Sequence, residues 1–450
     1  MGKRNAGERT KDFLEVDTGF SKQDAILESL RCMDCVRPQC IKGCPVNIDI
    51  PGFITAISKE DFRTAADIIK AENMLPAICG RVCPQENQCE GFCILGKKGK
   101  PVNIGALERF VADWERENGL QLPGIKEKTG KRVAVVGSGP AGITTAAELA
   151  KEGHSVTIFE SLHKAGGVLT YGIPSFRLPK DIVEAEIKEV LKLGAELKLN
   201  HIVGRSVPVE ELLGYDAVFL GTGAGLPSFM GIEGENLNGV YSANEFLTRV
   251  NLMHADSFPG YDTPVLKKGR VVVVGGGNVA MDSARVARRM GAEVTLIYRR
   301  RKEDLPARAA EIENAVEEGI EFLCCANPVR ILGDCSVTGV ECVRMEMCEE
   351  DASGRPCPVP IEGEGAIFTL EADVVIEAIG QSPNPLLISL MDNLEKGRRG
   401  NVIADDETGQ TSIENVFAAG DVATGAATVI EAMGSAKKAA KAINEKLINN

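Results

Sequence analysis

Eight of the fourteen cysteines fall between residues 32 and 93, in two quartets: CMDCVRPQCIKGCP over 32–45 and CGRVCPQENQCEGFC over 79–93. Closely spaced thiols separated by turn residues, with a proline directly after Cys44, suit ferredoxin-type [4Fe–4S] ligation. Four soft sulfurs would also hold zinc, but zinc adds no redox function to a chain that carries nucleotide motifs. In two-cluster proteins the fourth cysteine of a run serves the other cluster. By that rule Cys32, Cys35 and Cys40 take Cys93, and Cys44 joins Cys83 and Cys89. The second set then needs one more ligand, from Cys79 or elsewhere. Over Gly105–Asn118, GALERFVADWEREN, helical spacing puts Leu107, Phe110, Val111 and Trp114 on one face. Glu108 borders that face, either as an inward ligand or as a favourable charge in the first turn.

Two glycine motifs supply the second kind of chemistry. Lys131–Glu160, KRVAVVGSGPAGITTAAELAKEGHSVTIFE, reads as strand, glycine turn, helix and strand, a full dinucleotide fingerprint. Gly137 permits the tight turn, Gly139 lets a pyrophosphate approach, and Gly142 lets the helix pack on the strand. Pro140 and Ala141 begin a helix whose N-terminus faces the phosphates. Glu160 can accept from ribose hydroxyls. A second fingerprint, RVVVVGGGNVAMDSARVARRMGAEVTLIYRRR, starts at Arg270. Gly275 and Gly277 open it, Asn278 and Val279 begin its helix, and its second strand ends on Arg299-Arg300-Arg301 where an acid would read a 2′-hydroxyl. Guanidinium there suits a 2′-phosphate. Two different cofactors follow: FAD at the first motif and NADP(H) at the second.

Other elements must position these groups. Pro51–Lys70 and Ala71–Ala77 read as helical segments that set the two cysteine loops against each other. Gly166–Pro179, GGVLTYGIPSFRLP, reads as an irregular loop beside a flat ring system. Tyr215–Gly225 reads as a buried strand ending in a turn at Thr222 and Gly223, and Ala372–Gly380 echoes it. That echo implies two related nucleotide domains, one inserted in the other. VFAAGD, ending on Asp421, runs into a small-residue helix over 426–444, and Asp421 can bond a ribityl chain or ring edge. The cysteines at 324, 325, 335, 342, 348 and 357 form no compact quartet and read as buried structural thiols.

Composition narrows the function classes. A chain of 450 residues, 44% hydrophobic, implies about three domains with ample core. A formal net charge of −13 argues against nucleic acid as a partner. The N-terminus MGKRNAGERTKDF lacks an apolar stretch, no run spans a bilayer, and a cytoplasmic location is expected. The four histidines, at 154, 163, 201 and 254, are scattered, and no catalytic triad is expected. A flavin disulfide reductase needs a redox cysteine pair beside the flavin, whereas no cysteine occurs between Cys93 and Cys324.

In order along the chain, the cysteine quartets, GSGPAG with Glu160, GGVLTYGIPSFRLP, GGGNVAMD with YRRR, and AAGD resemble the small (β) subunit family of NADPH-dependent glutamate synthase. This family includes the large subunit of electron-bifurcating NADH-dependent ferredoxin:NADP oxidoreductase. The resemblance implies an α/β fold: two nested Rossmann-like FAD- and NADPH-binding domains of disulfide-reductase type, preceded by an α-helical ferredoxin-like domain with two [4Fe–4S] clusters. The expected divisions are 1–125 (iron–sulfur), 126–243 and 381–450 (FAD) and 244–380 (NADP(H)). It implies that Glu108 completes the second cluster, with Cys79 a neighbour. It also assigns Gly137, Glu160, Gly167, Arg177, Gly420 and Asp421 to FAD, and Gly277, Asn278, Asp282, Arg299 and Arg300 to NADPH. The expected activity is electron transfer between NADP(H) and a partner subunit (an FMN/glutaminase chain or a small flavoprotein) or ferredoxin, within a hetero-oligomer. An electron-bifurcating subunit and a non-enzymatic iron–sulfur relay are the alternatives. Gly2 rules out an N-terminal cysteine nucleophile after methionine removal, so the chain alone is not expected to make glutamate.

Overall fold

A computed structural model describes residues 2–265, 269–350, 356–363 and 365–449. The iron–sulfur region contains helices Ile50–Ser58 and Phe62–Glu72, then α1 (Pro76–Val82) and α2 (Ile104–Asn118). Sequence spacing predicts one helical segment over 51–70. The chain instead breaks at Lys59–Asp61, where Glu60 takes a positive φ of 61° and Asp61 caps the next helix by accepting from Thr64 N–H.

Next come β1 (Arg132–Val136), α3 (Pro140–Lys151), β2 (Ser155–Phe159), α4 (Lys180–Lys192), β3 (Glu196–Lys198) and β4 (Ala217–Leu220). A second set holds β5 (Val240–Ser242), β6 (Arg270–Val274), α5 (Asn278–Arg289), β7 (Glu293–Tyr298), β8 (Glu321–Cys324) and β9 (Val374–Glu377). The chain ends with β10 (Val416–Ala418) and α6 (Val429–Asn449). The first sheet has the order β10-β4-β1-β2-β3 and the second β8-β7-β6-β9-β5, and both are parallel throughout. Their inner strands are runs of Val, Ala, Ile, Leu and Phe because helices or loops cover both faces.

Strands Leu226–Pro227 and Gln381–Ser382 pair antiparallel where the chain leaves the first nucleotide domain and returns. The expected boundary after residue 243 is therefore too late: β5, at 240–242, already pairs with β9 of the inserted sheet. The inserted domain also carries the antiparallel strands Ala326–Gly333, Val337–Glu350, Pro356–Pro360 and Ile367–Glu371, a meander that sequence periodicity does not disclose. Among the described residues, no helix is long and apolar enough to cross a membrane.

The N-terminus departs from the expected 1–125 unit as well. Gly2–Lys3 pairs with Asp17–Gly19, and the strap between them lies on the inserted domain, with Val16 in that domain's core. Arg9, 1% exposed, donates to Glu318 at 2.8 Å, to Glu317 at 2.8 Å and to Asn314 Oδ1 at 3.1 Å. Glu318 also accepts from Arg285 at 2.9 Å and Arg289 at 2.6 Å. These two guanidinium groups flank the Phe176 ring, 4.6 and 3.8 Å from its centroid, and Val16 N–H donates to Phe176 C=O at 2.9 Å. Strap, first-domain loop and inserted domain thus meet on one buried charge cluster.

Replacing one member of such a cluster strands the others without a counter-charge. Glu318→Gln should cost about 3–5 kcal/mol, measured by denaturant unfolding at neutral pH. Burial pushes the Glu318 carboxyl up, but hydrogen bonds from Arg289 and Arg285 outweigh it and hold the group at about 2. A carboxyl depressed in the folded state stabilises above its unfolded pKa of about 4.3, and that contribution fades as pH falls toward 2. The stability gap between wild type and variant should therefore narrow across that acidic window.

Candidate active site

Helix α1 brings Cys79 and Cys83 into the core. Its orphan N-terminal donors Ala77 N–H and Ile78 N–H are bound by Glu186 of α4 at 2.6 and 3.2 Å. Gly80 lets α1 lie against α2, since a Cβ there would sit 2.6 Å from the Arg109 nitrogen. The close approach carries Glu108 of α2 toward the sulfurs of α1.

Two groups of candidate ligands result. Cys32 neighbours Cys35 and Cys93, and Cys40 neighbours Cys32 and Cys93. Cys83 neighbours Cys44, Cys89 and Glu108, and Cys89 likewise neighbours Cys44 and Glu108. Each group mixes residues from both quartets. All these cysteines are free thiols. Among the described residues no three Cys, His, Asp or Glu side chains are close enough to chelate one ion. Thiols gathered from two closely spaced runs are the donor set of [4Fe–4S] clusters. Glu108 is buried, which pushes its carboxyl up to about 8, while Asn73 donates to Oε1 at 2.8 Å and opposes that rise. The first cage is half-exposed, whereas Cys44, Cys83 and Cys89 are buried.

One cavity of about 1110 Å³ runs between the two nucleotide domains. Its wall contains Gly137, Gly139, Pro140, Ala141, Glu160, Gly167, Arg177, Thr222, Gly223 and Asp421 on one side, and Gly275, Gly277, Asn278, Val279, Asp282, Arg299 and Arg300 on the other. Val82 and Pro84, which bracket Cys83, also line it. Gly142 and Gly420 do not reach the wall. Gly142 is a packing position, where a Cβ would lie 1.9 Å from the Gly137 oxygen, and Gly420 turns the chain at φ +72° against Ala141.

The cavity's polar groups suit nucleotides. Glu160 is fixed by Ser138 N–H at 3.0 Å and Leu162 N–H at 2.8 Å, in the position that reads a ribose. Asp421 accepts from Ala427 N–H at 3.2 Å, and burial raises its carboxyl to about 6. Thr222 Oγ1, Asp282 Oδ1 and Glu377 Oε1 are buried without a protein partner, as a ligand-shaped space requires. Arg299 is exposed to the cavity, whereas Arg300 is buried and donates to Pro356 C=O at 2.8 Å. Arg177 and Asp282, expected on separate cofactors, hold each other at 2.7 Å, and Arg177 also pairs with Glu311 at 3.3 Å. They clasp the two nucleotide domains together.

Several groups of the site carry no local signal in the sequence. Glu377, at the end of β9, accepts from Met230 N–H at 3.1 Å, and burial raises it to about 7. Asn73 carried no signal, because its partner is 35 residues away. The loop at 166–179 contains one helical turn, Val168–Tyr171, entered through Gly167 at φ +53°. Of the late cysteines only Cys342 is buried; Cys335, in the turn between strands Ala326–Gly333 and Val337–Glu350, and Cys348, toward the end of the latter, are exposed, so the uniform buried reading fails.

Gly139 gives a clean test of the first arm. A Cβ there meets no protein atom within 4 Å, so added bulk projects only into the cavity. Gly139→Val should fold with an unchanged circular dichroism spectrum yet retain no flavin absorbance after purification and FAD soaking.

Residues 9–120 match the family model described as dihydropyrimidine dehydrogenase domain II, 4Fe-4S cluster, and residues 131–442 match pyridine nucleotide-disulphide oxidoreductase. The chain is 40% identical to the β subunit of NADP(+)-dependent formate dehydrogenase of Moorella thermoacetica, covering 92% of this chain and 60% of that protein. It is 38% identical to the small chain of glutamate synthase [NADPH] of Escherichia coli, covering 97% and 94%. Mycobacterium tuberculosis FprA in complex with NADPH superposes with a TM-score of 0.61 at 20% identity, over 71% of this chain and 85% of FprA, which shows the shared fold. With an iron–sulfur domain ahead of a pyridine-nucleotide oxidoreductase, the chain belongs to the glutamate synthase small-chain family of iron–sulfur flavin oxidoreductases.

Proposed function

We propose that the protein oxidises NADPH and delivers the electrons singly to a partner subunit, through FAD and two interleaved [4Fe–4S] sites. The observation that carries this reading is the single cavity lined by both glycine motifs and by the residues either side of Cys83. When bound, the flavin supplies hydride acceptance and the clusters supply one-electron transfer. The chain's own residues do the positioning. Gly137, Gly139 and the N-terminus of α3 hold the FAD pyrophosphate, Glu160 its ribose, and Thr222 and Asp421 its remaining polar edge. Gly275, Gly277 and the N-terminus of α5 hold the NADPH pyrophosphate, and Arg299 faces the 2′-phosphate. Cys44, Cys83, Cys89 and Glu108 hold the inner cluster; Cys32, Cys35, Cys40 and Cys93 hold the outer one.

The outer cage also suggests how the partner docks. Met33, Val36, Phe92 and Ile94 flank its cysteines and are 51–99% exposed. Close to them in sequence are Arg37, Lys42, Lys97, Lys98 and Lys100, all exposed, with Asp34 the exposed acid of the first run, in a chain whose net charge is −13. An apolar centre with a basic rim suits an acidic electron-accepting subunit, and both the formate dehydrogenase β subunit and the glutamate synthase small chain are named as parts of larger enzymes.

Purified, cluster-reconstituted protein should reduce an artificial dye with NADPH; no such reduction would defeat the proposal. Arg299→Ala should raise KM for NADPH by about 10–100-fold, as loss of a charge-assisted hydrogen bond to phosphate implies, with little change for NADH. Lys97→Glu with Lys98→Glu should slow electron delivery to an acidic ferredoxin by about tenfold at low salt and leave dye reduction unchanged.

A further inference from the structure

The inner cage holds one donor more than a four-iron cluster uses. Cys79 and Cys83 stand four apart, the first on α1 and the second capping its C-terminus, so their side chains leave on the same side. The Cys79 thiol interacts electrostatically with Cys83, Cys44 and Glu108. It is 1% exposed. Asn73 touches both contenders: its Nδ2 donates to Glu108 at 2.8 Å, and its Oδ1 lies 3.8 Å from the Cys79 sulfur. Cys79 also contacts the soft Met433 sulfur, at 3.6 Å. Glu108 is thus held by a firm hydrogen bond, and Cys79 by weak sulfur contacts that a rotamer change can release.

We infer that Cys79 is a standby ligand of the inner cluster, able to take the iron that Glu108 otherwise occupies. The inference rests on the reading of Glu108 as a ligand. In the exchange an Fe–O bond breaks and an Fe–S bond forms. The proton of the Cys79 thiol passes to the released carboxylate or to solvent, and no electron is gained or lost. A thiolate in place of a carboxylate changes the charge delocalised onto the cluster, so the two ligation states differ in spectrum and potential.

The test uses full-length reconstituted protein in four forms: wild type, Cys79→Ser, Glu108→Leu and the double variant. Iron and sulfide content, electron paramagnetic resonance of the reduced protein and cluster midpoint potentials are recorded, with FAD content as the check on folding. If Glu108→Leu loses FAD, Glu108→Ala takes its place. Cys79→Ser should match wild type. Glu108→Leu should keep full iron but show a shifted inner-cluster signal and midpoint, and the double variant should lose about half its iron. Loss of about half the iron in Glu108→Leu alone would overturn the standby role while supporting Glu108 as ligand. A wild-type signal in Glu108→Leu, with the loss appearing in Cys79→Ser, would instead overturn the ligand reading of Glu108, and the standby role with it.

Discussion

Everything functional in this molecule depends on how helix α1 is held. Glu186 of α4 binds two of its N-terminal amides, and the bare Cα of Gly80 lets it press on α2. Both contacts are buried and each joins separate parts of the chain. They fix Cys83 between two residues of the cavity wall and bring Glu108 into the same cage. Burial pushes the Glu186 carboxyl well up, and the two amides of α1 oppose that rise. The interface between the iron–sulfur helices and the nucleotide domain is therefore a structural requirement of the electron path.

A second constraint acts on the far side of the cavity. Arg177, Asp282, Glu311, Arg285, Glu318 and Arg9 form a chain of buried ion pairs from the first domain's loop to the N-terminal strap. Such networks give little net stability, yet removing one member leaves the rest stranded. Their effect here is geometric: the inserted domain is tied to the first domain and to the strap at once, so the two halves of the cavity keep one relative placement. Arg308 adds a link from the inserted domain to Gln85 and Glu86, just beyond Cys83.

The parts of this arrangement legible in the sequence are those written in local spacing. The two glycine motifs and the cysteine runs are short patterns whose chemistry is set by a few neighbours, and their members converge in the folded chain. What was hidden depends on long-range contact. Nothing near Arg9 announces Glu318, nothing near Asn73 announces Glu108, and Arg177 and Asp282 looked like independent cofactor contacts although they face each other. The boundary at 243 failed because β5 is only three residues long, too short for a periodic signal. The late cysteines misled because Cys335 lies in the turn after strand Ala326–Gly333, and Cys348 lies on strand Val337–Glu350 beyond the part that pairs with it.

The central claim is that each cluster draws ligands from both cysteine quartets. Low-temperature electron paramagnetic resonance of the reduced, reconstituted Cys32→Ser, Cys83→Ser and Cys93→Ser proteins tests it directly. Interleaved cages predict that Cys93→Ser loses the same cluster signal as Cys32→Ser and keeps the one that Cys83→Ser loses. If Cys93→Ser and Cys83→Ser lose the same signal while Cys32→Ser loses the other, each quartet holds its own cluster and the account is contradicted.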